Sequence, residues 1–170
     1  MEIPPWALSV SYWLHMLATV FWIGGLAAAS SFTLPLIAKL PSASDRLDQL
    51  QRTQKRLDPL GWFSLLLLTA TGLVQMSASD QYDGFLAFTN NWARALLLKH
   101  IVFLGMVLVS SYLTWRALPE LSRAVLMQSK GVLEQGRIDA LLKKHRRLLA
   151  LNLALGLLVL AFTALARVAA

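Results

Sequence analysis

The length of its uncharged blocks constrains this chain more than any other feature. Residues 3 to 38 contain no Asp, Glu, Lys or Arg, and neither does the stretch between Asp58 and Asp80. Residues 101 to 115 are again uncharged and extend backward across Lys99, and residues 148 to 166 run between Arg147 and Arg167. A helix needs about 20 predominantly apolar residues to cross the hydrocarbon of a bilayer, and each block meets that length. The expected fold is therefore all-α, an integral membrane four-helix bundle. It forms a single transmembrane domain over residues 1–170, with spans at about 5–38, 57–79, 91–118 and 146–168. The first block starts at Glu2-Ile3-Pro4-Pro5 rather than at a basic region, so it reads as a mature helix with Pro5 in its first turn and not as a cleaved leader.

Charge sets the orientation. Thirteen of the sixteen Lys and Arg residues fall in the connections 39–56 and 116–147, whereas the connection 80–90 carries Asp80 and Asp83. The positive-inside rule then makes 39–56 and 119–145 cytoplasmic loops and 80–90 an outer loop, giving an N-out, C-out protein of a bacterial-type inner membrane. The net charge of +7 marks topology and calls for no nucleic acid; the expected partner is the lipid bilayer. The third connection is long and mixed in charge, and it is expected to lie along the membrane surface. Trp6 and Trp92 fall near outer helix ends, Trp62 and Trp115 near inner ones, as interfacial anchors do.

The chain has no cysteine, which removes disulfides, thiolate metal sites and redox dithiols. It also lacks a phosphate loop, a nucleophile elbow and paired carboxylates within a span. The chemistry left inside the membrane is imidazole. His15 lies nine residues past Trp6 and His100 eight past Trp92, so the rise per residue puts both at about 12–14 Å from like-placed anchors. Spans one and three run in the same direction, which keeps the two rings level. Spans one–two and three–four also read as like-oriented hairpins, a weak internal duplication. His145, in KKHRR, reads as a solvated or headgroup-contacting residue of a charge run, and Asn152 and Thr163 as polar groups bonded within the bundle.

An ionisable residue within a span points to function by default, and three readings compete. The first is heme b ligated by His15 and His100, an electron-transfer site whose propionates face Arg94 and Lys99, in a redox protein or a subunit of a larger membrane redox complex. The second is a copper ion on the same histidines, with thioether help from Met76 or Met106. Met16 cannot join His15, because adjacent helical positions diverge by about 100°. The third is an accessory subunit without cofactor, in which the imidazoles form interhelical hydrogen bonds to Gln75, Thr69 or Thr71.

LHMLATVFWIGGL, the basic segment before span two, TATGL near its end, WARALLLKHIVFL and Arg-Ala-Leu-Pro-Glu-Leu, in that order, resemble the copper-resistance D family of membrane proteins. The likeness runs from Trp13 to about Leu165. It implies a four-helix inner-membrane domain concerned with copper uptake or resistance, with a periplasmic copper or redox protein as a partner. The chain is also distantly similar to the J-type protoporphyrinogen oxidases, small heme-binding membrane proteins. That resemblance implies roles for His15 and Lys99, but LPLIAKL departs from the polar pattern expected after span one.

Overall fold

A computed structural model of the chain describes residues 3–82, 84, 90–132 and 135–169. Much of the connection 80–90, Asp83 included, lies outside the described residues. The elements are helices: α1 (Pro5–Ala28), a π turn (Ala29–Thr33), α2 (Leu34–Ala38), α3 (Ala43–Ser77), α4 (Asn91–Tyr112), a second π turn (Leu113–Ala117), α5 (Leu118–Ser129) and α6 (Gln135–Val168). Four continuous helical rods, Pro5–Ala38, Ala43–Ser77, Asn91–Ser129 and Gly136–Val168, are long and apolar enough to cross a membrane. Large apolar side chains such as Phe21, Leu66, Leu104 and Leu157 are exposed on each of them. A soluble domain does not present such a belt, and a bilayer covers it. The protein is an all-α, multi-pass membrane bundle.

Packing is hairpin by hairpin. The heaviest interfaces are α1 with α3 and α4 with α6, and α1 against α6 joins the hairpins, so spans one and three face each other across a diagonal. The seam of α6 follows alternating steps of four and three through Ile138, Leu142, His145, Leu149, Asn152 and Gly156. Of these, Ile138, His145, Asn152 and Gly156 are buried. Such spacing keeps one stripe turned to the partner helices.

The helices run further than the hydropathy blocks. Segment 39–56, expected as a loop, is helical from Ala43, because Ser42 caps the helix by accepting from the Asp45 amide at 3.0 Å. Segment 119–145 is likewise helical over most of its length. Its α5 turns an apolar face into the bundle. Leu121, Ala124 and Val125 are buried with Leu34, Ile37, Leu50 and Ile138 in an apolar core of their own. Arg46–Asp139 at 3.1 Å and Gln51–Ser122 at 2.9 Å tie this layer together. We call this the basic end and the opposite one the termini end.

Both π turns have the same construction. Leu34 N–H bonds to the Ala29 carbonyl and Leu118 N–H to the Leu113 carbonyl, five residues back, and a proline follows each, Pro35 and Pro119. Proline cannot donate and crowds the carbonyl four residues earlier, so a wider turn just before it relieves the ladder. This shared device at equal places in spans one and three is what the like-oriented hairpins predict.

Candidate functional site

The termini half of the bundle holds a polar seam between α1 and α3. Ser11, His15 and Thr19 recur every four residues on one face of α1. Opposite them stand Thr71 and Gln75 of α3. Ser11 Oγ donates to the Thr71 carbonyl at 3.3 Å and Gln75 Nε2 to the Ser11 carbonyl at 3.2 Å. His15 Nδ1 lies 2.8 Å from Thr71 Oγ1, while the Thr71 hydroxyl sits 2.6 Å from the Leu67 carbonyl. A carbonyl only accepts, so the threonine proton is committed to Leu67, and the imidazole must donate from Nδ1. That fixes the tautomer of the neutral ring and puts the lone pair on Nε2. The ring lies beside Gly72, where a Cβ would be in ordinary contact at 3.6 Å from His15 Cε1.

His100 reaches the same chemical state by another route. Its Nδ1 is 2.7 Å from the carbonyl of Leu96, one turn back on α4. The carbonyl can only accept, so here too Nδ1 carries the proton and Nε2 the lone pair. A ring N–H held by a hydroxyl or backbone carbonyl is how proteins orient a metal-ligating histidine. The helix starts repeat the sequence spacing: His15 is ten residues past Pro5 and His100 nine past Asn91, a difference of about 1.5 Å in rise. Lys99 lies close enough for its charge to act on His15.

The remaining site candidates fall elsewhere. Met106 is 2% exposed and packs with Trp22, Leu26 and Leu65, its Cε 3.4 Å from where a Cβ of Gly156 would stand. Met76 is buried with Trp92, Ala93, Ala95 and Ala166. Both thioethers are buried among apolar side chains. Trp92 is buried in that cluster rather than anchored in an interface, whereas Trp6 is exposed. Arg94 is exposed on α4. Among the described residues, one cavity opens at the basic end and another beside Asn91 and Val168, and neither is lined by His15 or His100. No cluster of three or more His, Asp or Glu suited to a metal occurs among the described residues.

His145 corrects the sequence reading outright. It is 4% exposed, on the buried stripe of α6, and it lines a cavity at the basic end together with Asp58, Gln54, Asn152 and Trp22. KKHRR looks like a charge run, but the helix turns four cations outward and the imidazole inward. The signal was present in the four-three spacing from Ile138 to Asn152, which residue type alone hid. Asp58 accepts from Thr114 Oγ1 at 3.1 Å and from Gln54, joining α3 to the second π turn.

The fold defines a multi-pass membrane protein that carries two histidines, His15 and His100, within its spans. The family described as copper resistance protein D matches residues 51–166, and the chain belongs to it. The matched region takes in His100 and the basic-end cavity's Gln54, Asp58 and Asn152, and leaves out His15. No curated protein and no solved structure matches the chain.

Proposed function

We propose that this membrane protein handles copper, and that its ion is held in the termini half of the bundle by Nε2 of His15 and Nε2 of His100. The observation that carries the reading is the shared tautomer. Two level imidazoles, on like-directed helices, each spend the Nδ1 proton on a fixed acceptor and keep the Nε2 lone pair. Imidazole suits copper, and membership of the copper-resistance family supports copper as the metal. By the charge rule this half faces outward, so the ion would come from the outer side, where a copper-carrying protein is the partner the site calls for.

A heme b between the same histidines, which the level spacing also allows, requires a flat slot for the macrocycle. The cavities at the basic end and beside the ends of α4 and α6 are lined by other residues, and neither gives such a slot beside His15 or His100. A single ion needs both lone pairs, as heme does, but no slot. In the packing-only reading, the His15–Thr71 bond is the whole purpose of the ring.

Titration of the detergent-purified protein with Cu(I) against a chromophoric chelator tests the proposal. One equivalent should be withdrawn from the chelator by the wild type, and none by His15→Ala or His100→Ala. A wild type that never competes overturns copper binding and leaves packing. A sharp Soret band in protein as purified, lost in both variants, replaces copper with heme.

A further inference from the structure

The cavity at the basic end is built differently from the imidazole pair and does not depend on it. Its volume is about 110 Å³. Four polar side-chain atoms on its lining are buried without a partner among the described residues: Trp22 Nε1, Gln54 Oε1, His145 Nδ1 and Asn152 Oδ1. Trp22, His145 and Asn152 are at most 9% exposed.

The direction of these groups is fixed by their other bonds. Asn152 Nδ2 donates to Ser110 Oγ at 2.8 Å, and Ser110 passes its proton to the Met106 carbonyl at 2.8 Å. Ser110 must therefore accept, and the Asn152 oxygen is left to face the cavity. Gln54 spends its amide on Asp58, which leaves its oxygen as an acceptor. Trp22 offers only a donor. The set thus asks for a ligand that both accepts, from the indole, and donates, to the two amide oxygens. A bare cation meets the indole N–H with the wrong polarity, and an anion meets two carbonyl oxygens.

Besides Asp58, which is engaged with Thr114 and Gln54, and the hydroxyls of Thr33, Thr53, Ser110 and Thr114, the rest of the lining is apolar. Phe21 and Leu60 line the cavity and are also exposed to the outside of the bundle at 52% and 41%, which puts a lipid-facing mouth between α1 and α3. The Trp22 indole lies directly on the backbone of Gly61, where a Cβ would stand 2.7 Å from its ring. Trp62, stacked on Trp115 at 4.9 Å, adds a second aromatic wall. Both π turns border the space, through Ala29 and Thr33 and through Leu113 and Thr114. Such widened turns gather at functional sites. Apolar walls with a few convergent polar groups suit a small organic ligand.

We infer that this cavity binds the ring of a lipid-soluble quinone or quinol, admitted from the bilayer between α1 and α3. A ring carbonyl accepts from Trp22 Nε1, and the hydroxyl of the reduced form donates to Asn152 Oδ1 or Gln54 Oε1. His145 Nδ1 serves either form, since its tautomer is not fixed by another bond to that atom.

The test is calorimetric titration of the full chain in detergent with decylubiquinone and its quinol. The wild type should bind saturably, and Asn152→Leu and Trp22→Phe should each weaken binding at least tenfold. Trp22→Phe keeps a ring on Gly61, and an unchanged helical circular dichroism spectrum certifies either variant as folded. His15→Ala should bind like the wild type. Absence of saturable binding to the wild type overturns the proposal, as does undiminished binding in both folded variants. Equal affinity for dodecylbenzene, which has no oxygen, makes the cavity a hydrocarbon pocket. Cu(I) retained by the His15→Ala/His100→Ala double variant and lost on adding His145→Ala makes it a metal site. Either result also overturns it.

Discussion

The two halves of the bundle treat buried polar groups in opposite ways. In the termini half, Ser11, His15, Thr71 and Gln75 form a seam in which each bond crosses from α1 to α3. In the basic half, Trp22, Gln54, His145 and Asn152 converge on a space and leave four atoms unpartnered among the described residues. Interhelical hydrogen bonds within a membrane contribute about 0.6 kcal/mol each, up to about 1.7, so the seam mainly orients what it touches. A buried polar atom left unpaired costs about 1–3 kcal/mol. A fold that sets several around one cavity has arranged them for something that enters it. The first half prepares two ring nitrogens, and the second prepares a pocket.

The largest effects should come from removing the prepared nitrogens. His15→Ala or His100→Ala is expected to lower Cu(I) affinity by more than the 10–100-fold typical of groups that only orient a ligand, measured by chelator competition. His145→Ala, in the other half, should leave that affinity within about twofold, and a large loss would erase the distinction between the halves. Thr71→Val tests orientation by itself. It keeps the shape and removes the Nδ1 acceptor, so affinity should fall about 10–100-fold with the fold intact. An unchanged affinity would reduce the seam to packing.

Lys99 supplies a test of sign. Its charge acts on His15, and a cation there opposes a second cation on the ring. Lys99→Gln should therefore tighten Cu(I) binding several-fold, whereas weaker binding would make the lysine a positive contributor. In the basic half, Gly61→Ala places a methyl 2.7 Å from Trp22 Cζ3. Overpacking of this kind costs about 1–3 kcal/mol. Thermal unfolding should register that loss, together with a shifted tryptophan emission, while copper affinity stays unchanged. The smallest effect belongs to Arg52, whose 2.8 Å bond to Asp48 is made between exposed side chains. Arg52→Ala should alter stability by no more than about 0.5 kcal/mol.

Hydropathy makes the four spans legible, because the demand for about 20 apolar residues leaves a coarse and unambiguous mark. It does not mark where a helix stops. Ser42 and Asp45 form a cap inside a segment whose charge reads as a loop, and α5 buries its apolar face in an interhelical core that exists only once three helices meet. The level histidines follow from spacing alone, and Thr71 was among the three partners that spacing allowed for His15. Met76 and Met106 have the right chemistry for copper, and what the sequence did not show is their burial, Met76 with Trp92 and Met106 beside Gly156. The basic-end cavity was hidden for a related reason. Its members are scattered from Trp22 to Asn152, and residue type suggested a charge run for His145 and a hydrogen bond within the bundle for Asn152. Only their convergence makes them one place.

The central claim, that two Nε2 atoms hold the ion, is tested most directly by X-ray absorption at the copper edge on protein loaded with one equivalent of Cu(I). The account predicts a first shell of nitrogen with the outer-shell scattering of two imidazoles, falling to one in His15→Ala if any metal remains. A sulfur-dominated first shell, or a spectrum that His15→Ala and His100→Ala leave unaltered, would contradict it.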